Sequence, residues 1–484
     1  MKMEHRAGNR SEVPWRHGYK AGILPSFPCK LSASSLLLLS LFIAMGKLVR
    51  RGEHFLVQPI CLLLLLSFFS TTECRPPAIG RGNVNLPAVG QSKYQSTSCR
   101  THSASLSDFG AVSDGKTSNT KAFQDAVAHL SQFSGDGGGL LYIPPGRWLT
   151  GPFNLTSCFT LFLHRDAVIL ASQGCPGGRY SSLIMGSNLT DVVITGDNGT
   201  IDGQGDFWWA KFHHKQLKYT RGYLVELMYS DQILISNLFF LNSPSWNIHP
   251  VYSSNIVVKG ITISAPVHSP NTDGINPDSC SNVRIEDSYI VSGDDCVAIK
   301  SGWDEYGIAV GMPSQHIVIR RLTCVSPTSA TIALGSEMSG GIRDVRAEDI
   351  TAINTESGVR IKTAIGRGAF VKDVFVRRMT LDTMKWVFWM TGNYNSHPDG
   401  TGRLQGIAQA PFKGICISNV TVGMRKARKQ AWFCENVNGV SSAVSPEPCD
   451  ALKDESVAEI SCPFPTDRLP IEDVELTECP FPMA

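Results

Sequence analysis

One pattern recurs along the middle of this chain: a polar residue followed by a short β-branched strand that Gly, Asn, Asp or Ser closes. The pattern begins at Asp191, Gln232, Asn255, Asn282, His316, Asp344 and Asp373. From Gln232 onward the spacings are 23, 27, 34, 28 and 29 residues, the loose period of a solenoid. In a solenoid, strands of successive turns pair through their backbones, so residues one period apart lie about 4.8 Å apart.

The repeat predicts an all-β fold, a single-stranded parallel β-helix. The alternative is a sandwich or propeller whose strands resemble one another by chance, although propeller blades are usually longer and carry their own signatures. One helix is predicted, because the apolar residues between Ala122 and Leu130 recur at helical spacing. Ser118 or Asn119 can cap this helix, which we expect to cover the open N-terminal edge of the solenoid.

The N-terminal 74 residues have the character of a targeting leader. Two apolar runs, 36–45 and 55–69, flank a basic segment, and each is too short for a clear membrane span. We predict a secretory signal, and the alternative is an uncleaved anchor that keeps the protein on a membrane. We divide the rest into a linker at 75–104, a β-helix catalytic domain at 105–422 and a Cys-rich extension at 423–484.

Charge and composition exclude several kinds of partner. The formal net charge of +2 comes from the leader, and the remainder is slightly acidic, so no basic field points to nucleic acid. Affinity for an acidic polymer must come from locally placed cations. Because no two cysteines have Cys-x-x-Cys spacing and no paired His motif accompanies them, we predict no structural metal. We also expect no cofactor and a monomeric protein.

Cysteines and glycosylation sequons agree with a secretory route. Eleven cysteines follow from Cys99 onward, so one must stay free or pair elsewhere. Four Asn-x-Thr sequons begin at Asn154, Asn188, Asn198 and Asn419. Pairing among the C-terminal residues Cys434, Cys449, Cys462 and Cys479 is plausible. Cys296 and Cys324, about one turn apart, either form a disulfide or fill adjacent positions of a ladder.

Three carboxylates are predicted to meet on one face. Asp273 precedes Asp294 and Asp295 by about one turn of the solenoid. Like charges this close raise at least one pKa, which gives a protonated acid beside ionised bases, as glycoside hydrolysis requires. Alternative interpretations are turn residues, which Asp and Gly favour, and a Ca²⁺ site like those of lyases with this general fold.

Two cations lie two to three turns beyond the acidic cluster. Strand alternation puts Arg360 and Lys362 on the same side of one strand. A bidentate guanidinium and a compact ammonium can bind the carboxylate of a uronic acid sugar, so an acidic polysaccharide is the expected substrate. The alternative is an ordinary solvated strand face.

From residue 108 to about residue 421 the sequence resembles the polygalacturonases of glycoside hydrolase family 28. The resemblance rests on three segments in the family's order: Asn-Thr-Asp at 271–273, Gly-Asp-Asp-Cys at 293–296 and Arg-Ile-Lys at 360–362. It implies a right-handed, pectin lyase-like β-helix and metal-independent, inverting hydrolysis of galacturonan. It also implies that Asp294 is the general acid, that Asp273 and Asp295 are bases, and that Arg360 and Lys362 bind galacturonate.

One segment departs from the family pattern: Ala330 stands where the family has a histidine that is thought to support protonation of the acid. His249 or His268 could supply an imidazole, although a lone histidine in a β protein is more often structural. Trp246, one turn before Asp273, offers a face for sugar stacking or simply fills a coil. Asn271 is the remaining predicted substrate contact.

The segment at 335–341 resembles exo-acting members of the family, which remove sugars from the non-reducing end. We therefore predict a pectin-cleaving enzyme that modifies a cell wall. The alternatives are a hydrolase of rhamnogalacturonan and a β-helix protein that has lost activity with the histidine and only binds pectin.

Overall fold

The computed structural model describes residues 93–173, 181–394, 402–424, 431–453 and 461–480. They belong to one compact unit that spans 72–484. The predicted leader lies outside the described residues, so secretion and anchoring stay predictions. The predicted domain boundaries also stay predictions.

Strands make up about half of the described residues. In chain order they are β1 Lys93–Ser96, β2 His102–Ser105, β3 Gly139–Ile143, β4 Gly146–Thr150, β5 Phe153–Asn154, β6 Phe159–Leu163, β7 Ala167–Ala171, β8 Ile184–Ser187, β9 Thr190–Gly196, β10 Gly199–Asp202, β11 Val225–Met228, β12 Asp231–Ser236, β13 Leu238–Leu241, β14 Ile248–Val251, β15 Ser254–Lys259, β16 Thr262–Ser264, β17 Ser281–Val291, β18 Val297–Ile299, β19 Ser314–Val325, β20 Ala330–Gly335, β21 Ile342–Lys362, β22 Val371–Thr391, β23 Gly402–Gln405, β24 Phe412–Thr421, β25 Trp432–Glu435, β26 Val437–Ser445 and β27 Thr477–Pro480.

All of these strands except β1, β24, β26 and β27 stack as three parallel sheets of a right-handed β-helix, which confirms the predicted fold. Sheet A contains β2, β3, β6, β9, β12, β15 and the first parts of β17, β19, β21 and β22. Sheet B contains β4, β7, β10, β13, β16 and the middle parts of the same long strands. Sheet C contains β5, β8, β11, β14, the bridged segment 275–278, β18, β20, the last parts of β21 and β22, then β23 and β25.

The polar residue that leads each repeat has a conformational role. All seven begin a strand of sheet A with positive φ, between 51° at Asp344 and 57° at Asp191. Asn and Asp tolerate this left-handed conformation better than other residues that carry a side chain. The repeat therefore marks where the chain turns from sheet C into sheet A.

Aliphatic ladders fill the interior of the coil. One ladder in sheet A contains Val192, Ile233, Ile256, Val283, Ile317, Val345 and Val374 in successive register. All but the last are almost fully buried. Burying such a side chain contributes about 1.5–3 kcal/mol, so each added turn extends the core of the preceding one.

Three α-helices accompany the sheets: α1 Thr120–Leu130, α2 Gly205–His213 and α3 Asp304–Val310. Helix α1 buries its apolar stripe against the first turn, as predicted. Asn119 occupies its N-cap position but makes no side-chain cap, because its amide bonds both backbone groups of Val112 instead. None of the described helices has the length and apolar character needed to cross a membrane.

The C-terminal segment returns along the outside of sheet A. Leu469 and Ile471 pack on a row of apolar residues there, and β27 pairs antiparallel with β1, inside the predicted linker. The expectation that the C-terminal cysteines pair with one another is therefore only half right. Cys434 bonds Cys449, whereas the return path brings Cys462 to Cys416 and Cys479 to Cys99. The other described disulfide is Cys296–Cys324, and Cys280 is the free cysteine among the described residues.

Candidate active site

The three predicted carboxylates meet at the start of sheet C. Ile275 pairs with Val297 on the next turn, so the residues two places earlier, Asp273 and Asp295, enter the sheet at the same point. One carboxylate oxygen each from Asp273, Asp294 and Asp295 lies within 4.8 Å of the others. The solenoid thus concentrates three acidic groups in one patch.

Asp295 is buried and held in its ionised form. Its Oδ1 accepts hydrogen bonds from Ser329 Oγ at 2.5 Å and from the Ala330 N–H at 3.0 Å, and its Oδ2 binds Lys362 Nζ. Burial pushes the pKa of Asp295 upward, but the charge and hydrogen bond of Lys362 outweigh it and lower the pKa. Asp295 is therefore an ionised carboxylate at neutral pH.

Asp273 and Asp294 are shifted in the opposite direction. Burial, followed by the charge of Asp294, raises the pKa of Asp273 well above its usual value. Burial, followed by the charge of Asp295, raises the pKa of Asp294. Because the two groups interact, they titrate as a pair. The cluster can hold one proton beside an ionised base, which is the pairing that acid–base hydrolysis needs.

Arg360 and Lys362 lie on the outer face of sheet C, as alternation predicted, but both have protein partners. Lys362 pairs with Asp295, and Arg360 Nη1 lies 3.3 Å from Glu356 Oε2. The Arg360 guanidinium also stacks 3.5 Å above the ring centre of Trp389. Its Nε is buried and has no hydrogen-bond partner among the described residues.

The sequence reasoning missed Lys300, a buried cation that lies in the same row of sheet C as Lys362. Its Nζ lies 2.9 Å from Glu337 Oε2, 3.8 Å from Asp273 Oδ2 and 4.4 Å above the Trp246 ring. The sequence did contain an indication of this position. Side chains alternate along the strand that follows Asp294 and Asp295, and this alternation points the Lys300 side chain to the outer face. Glu337, which joins it from the next turn, had no such signal.

Tyr394, also missed, lies close to both predicted cations. Its ring centre is 5.5 Å from the Arg360 guanidinium and 5.7 Å from Lys362 Nζ. The residue follows β22 by three positions, in a loop whose path the strand pattern does not fix. An aromatic ring over two cations adds an apolar wall where a sugar could lie.

Asn271 lies beside the acid pair, where it bridges Asp294 and a buried arginine. Its Nδ2 donates to Asp294 Oδ2 at 3.4 Å, and its Oδ1 accepts from Arg221 Nη2 at 2.6 Å. Burial lowers the pKa of Arg221 to about 10, although the nearby charges of Asp273 and Asp294 oppose this shift. Asn271 therefore links Arg221 to Asp294 through two side-chain hydrogen bonds.

Trp246 and His249 lie one turn before Asp273, but only Trp246 is open to a ligand. Trp246 is half-buried and stacks on Tyr223 with ring centres 4.9 Å apart. His249 is buried between Glu226 (3.4 Å) and Asp278 (3.6 Å). Burial lowers its pKa, yet these two carboxylates outweigh burial and raise it, so they favour the protonated form of His249.

Among the described residues, no imidazole contacts the carboxylate cluster in place of the histidine that the family resemblance implies at position 330. The methyl group of Ala330 is fully buried and clusters with Ala298 and Ala333. Its backbone N–H, together with Ser329 Oγ, contacts Asp295 instead. His268 is exposed on a turn. Polar support for the cluster thus comes from a backbone amide, a hydroxyl and two ammonium groups.

The carboxylate cluster has the spacing of a metal site but not its charge environment. Ca²⁺ takes six to eight oxygen ligands. Here Lys362 binds Asp295 and Lys300 approaches Asp273, so two ammonium groups already balance two of the three carboxylates. This arrangement favours acid–base chemistry over cation binding.

Comparison with known proteins agrees with this geometry. A family model described as Glycosyl hydrolases family 28 matches residues 149–444. A probable polygalacturonase of Vitis vinifera is 60% identical over 446 residues, which cover 83% of this chain and 89% of that protein. An exopolygalacturonase of Zea mays is 31% identical over 268 residues, or 53% of this chain and 61% of that protein.

Solved structures share the fold. A hyperthermoactive exopolygalacturonase from Thermotoga maritima aligns with a TM-score of 0.60 and 27% identity, covering 72% of this chain and 92% of that one. A polygalacturonase from Erwinia carotovora aligns with a TM-score of 0.55 and 21% identity over 78% and 98% of the two chains, which supports the fold alone. The sequence match, the β-helix and the carboxylate cluster lead to one assignment: this chain belongs to family 28 of the glycosyl hydrolases.

Proposed function

We propose that the protein hydrolyses α-1,4-galacturonosyl linkages of polygalacturonan. One observation carries the proposal: an acidic cluster whose pKa values are split lies on the same sheet face as Arg360 and Lys362. Carboxylates with raised and lowered pKa values provide the acid and the base of glycoside hydrolysis. The neighbouring cations can bind the carboxylate of a uronic acid sugar. The names of the relatives in Vitis vinifera and Thermotoga maritima support the same activity.

In the proposed reaction Asp294 acts as the general acid. Its raised pKa keeps the proton that it donates to the glycosidic oxygen as the bond to the anomeric carbon breaks. Asp295, ionised beside Lys362, accepts a proton from the water whose oxygen attacks that carbon. Asp273 and Asp294 share one proton. The charge of Lys300 favours the ionised form of Asp273, so that the proton can remain on Asp294. Inversion at the anomeric carbon is inferred from the family resemblance, and ¹H NMR of the first product formed tests it.

We further propose exo action on the acidic chain. The segment at 335–341 that resembles exo-acting members contributes Glu337 to the network around Lys300. The similarity to an exopolygalacturonase structure supports this assignment. Release of monogalacturonate from the first turnover, with little early loss of viscosity, is the expected pattern, and an early ladder of oligomers would exclude it.

We propose that the enzyme is secreted and acts as a monomer on pectin in a cell wall. The disulfides Cys99–Cys479 and Cys296–Cys324 support an oxidising compartment. The asparagines of all four sequons are exposed, as glycosylation requires. Fractionation of cells that express the full chain, with and without a high-salt wash, separates soluble wall protein from a membrane-anchored form.

The deciding assay measures release of reducing ends from polygalacturonate in excess chelator. We expect release by the wild type and none by Asp294→Asn, with Asp197→Asn as a control because Asp197 forms an exposed ion pair away from the cluster. Release of reducing ends from rhamnogalacturonan but not from polygalacturonate would indicate a rhamnogalacturonan hydrolase. A 4,5-unsaturated product, or loss of activity in chelator, would indicate a lyase, and binding without release would indicate a pectin-binding protein.

A further inference from the structure

An open groove of about 650 Å³ lies on the outer face of sheet A, between strand β1 and the turn that joins β9 to β10. Residues of β1, β3, β6 and β27 line the groove together with this turn. Ligand sites of about 300–1,000 Å³ bury molecules of the size of one or two sugar rings. The proposed hydrolysis takes place on sheet C, so the groove has no part in that reaction.

Packed aromatic rings form the floor of the groove. Tyr142 and Phe162 are neighbours in register on β3 and β6, with ring centres 6.2 Å apart. Tyr94 of β1 packs edge-on against Phe162 at 5.8 Å, and His164 packs edge-on against Tyr142 at 6.4 Å. Because Tyr94, Tyr142 and Phe162 are buried, their rings keep fixed positions and present an apolar edge to a ligand.

The two charged pairs at the rim of the groove are each made of a cation and a carboxylate. Lys93 Nζ lies 3.1 Å from Glu478 Oε2, and Arg165 Nε donates to Asp197 Oδ2 at 2.7 Å. All four residues line the groove, and their charges cancel. A polyanion such as galacturonan gains little from such a rim, whereas a neutral ligand meets both hydrogen-bond donors and acceptors there. The lining therefore favours a neutral sugar.

A sequon asparagine lies at the rim of the same groove. Asn198 begins the triplet Asn198-Gly199-Thr200 and lies in the turn between β9 and β10 with a φ of 63°. Its backbone N–H donates to the Asn237 carbonyl oxygen at 3.0 Å, which fixes the turn. The residue is exposed, and no described residue hydrogen-bonds to its side-chain amide. A sugar attached to Asn198 Nδ2 therefore starts at the groove.

We propose that Asn198 carries an N-linked glycan whose first N-acetylglucosamine units occupy this groove. In the modification, Asn198 Nδ2 bonds to C1 of the first sugar of a lipid-linked oligosaccharide, the bond from C1 to the lipid diphosphate breaks, and the amide proton leaves with the diphosphate. The sugar then contacts the aromatic floor and bridges sheet A to β1 and β27, which helps to hold both ends of the described chain on the solenoid. The proposal requires passage through the secretory pathway but not the hydrolase activity.

The first test measures how well the folded protein protects this glycan. The full chain is expressed in eukaryotic cells that glycosylate secreted proteins, and mass spectrometry of peptides reports which sequons are occupied. The reference is Asn188, which is also exposed with a positive φ but does not line the groove. In the folded protein we expect an endoglycosidase to release the Asn198 glycan about tenfold more slowly, the factor that one aromatic contact supplies. After unfolding, the two rates should be equal. A bare Asn198, or equal release in the folded protein, would overturn the proposal.

Variants of the sequon threonines test whether the sugar covers the floor. Thr200→Val removes the hydroxyl that glycosylation requires, Thr200→Ser keeps it, and Thr190→Val removes the sequon of Asn188 as the matched control. The readout is carbethoxylation of His164 by diethyl pyrocarbonate, followed by mass spectrometry. We expect His164, whose side chain is 31% exposed, to react several-fold faster in Thr200→Val and at the wild-type rate in the other two variants. Unchanged reactivity in Thr200→Val would contradict the proposal.

A competing occupant and a failure of the proposed function give different results. Slower reaction of His164 in the wild type after addition of oligogalacturonate would assign the groove to the polymer and refute the glycan. If Thr200→Val does not fold, endoglycosidase release from the wild type still decides. Release of reducing ends from polygalacturonate is measured separately. An inactive wild type would refute the proposed function, whereas the glycan proposal depends only on glycan release and on the reactivity of His164.

Discussion

Replacing Lys300 with methionine (Lys300→Met) tests whether charge pairing stabilises the floor of the site. Methionine keeps much of the length of the side chain and can still pack against Trp246. At an effective dielectric constant of about 20, gross attraction is about 6 kcal/mol at the 2.9 Å separation from Glu337 and about 4 kcal/mol at the 3.8 Å separation from Asp273. Desolvation offsets much of this attraction, and breaking such a buried pair costs about 3–5 kcal/mol net.

The loss should depend on pH. Burial raises the pKa of Glu337, but Lys300 outweighs burial and lowers it. A lowered pKa contributes stability above the unfolded value of about 4.3, and this contribution is lost as pH falls through the folded value. Without Lys300, protonation relieves the uncompensated charge of Glu337. The difference in unfolding free energy between wild type and Lys300→Met should therefore be largest near pH 7 and shrink at about pH 4.

Urea denaturation at both pH values measures this difference. The matched control is Lys121→Met, which removes an exposed ion pair with Asp125 at 2.6 Å and should cost no more than about 1 kcal/mol. An equal loss at pH 7 and pH 4, or a loss no larger than that of the control, would refute the reasoning. Loss of Lys300 should also raise the pKa of Asp273 further, which moves the acid limb of kcat/KM to higher pH.

Three other outcomes follow from the site. Asp294→Asn should lower kcat by about a thousandfold or more while leaving retardation in polygalacturonate gels unchanged. Arg360→Ala should weaken binding of oligogalacturonate by about 1.5–3 kcal/mol but hardly affect the carboxyl-reduced, neutral oligomer; calorimetry with equal losses for both would argue against carboxylate recognition. Replacing both Cys296 and Cys324 with serine should reduce the unfolding free energy by about 3–4 kcal/mol, measured in urea, because their disulfide closes a loop across 28 residues.

The solenoid was predictable because its local signals repeat. Asn255, Asn282 and Asp344 each combine a turn-favouring side chain with a following β-branched strand, and each has the left-handed φ that such residues tolerate. Repetition converts a weak local preference into a period. Once the period is known, the proximity of Asp273 to Asp294 follows from their separation in sequence.

Other features depend on the insertions between turns and on the return of the C-terminus. Helix α2 contains Trp208 and Trp209 in a run too short to distinguish from a buried strand. The Cys99–Cys479 disulfide joins residues 380 positions apart, which spacing cannot reveal. The pairing of Lys300 with Glu337 depends on a loop that no strand period fixes.

Ala330, where the family resemblance implies a histidine, bears on how the carboxylate cluster can hold a proton. A histidine there would add an imidazole beside the acid, whereas Ala330 is packed against two other alanines and contributes only its backbone N–H to Asp295. That N–H, Ser329 and Lys362 all favour an ionised Asp295, and its charge in turn raises the pKa of Asp294. A proton can therefore stay on the acid through burial and a fixed neighbouring charge, without an imidazole. Loss of the histidine and retention of hydrolysis are thus compatible in this protein.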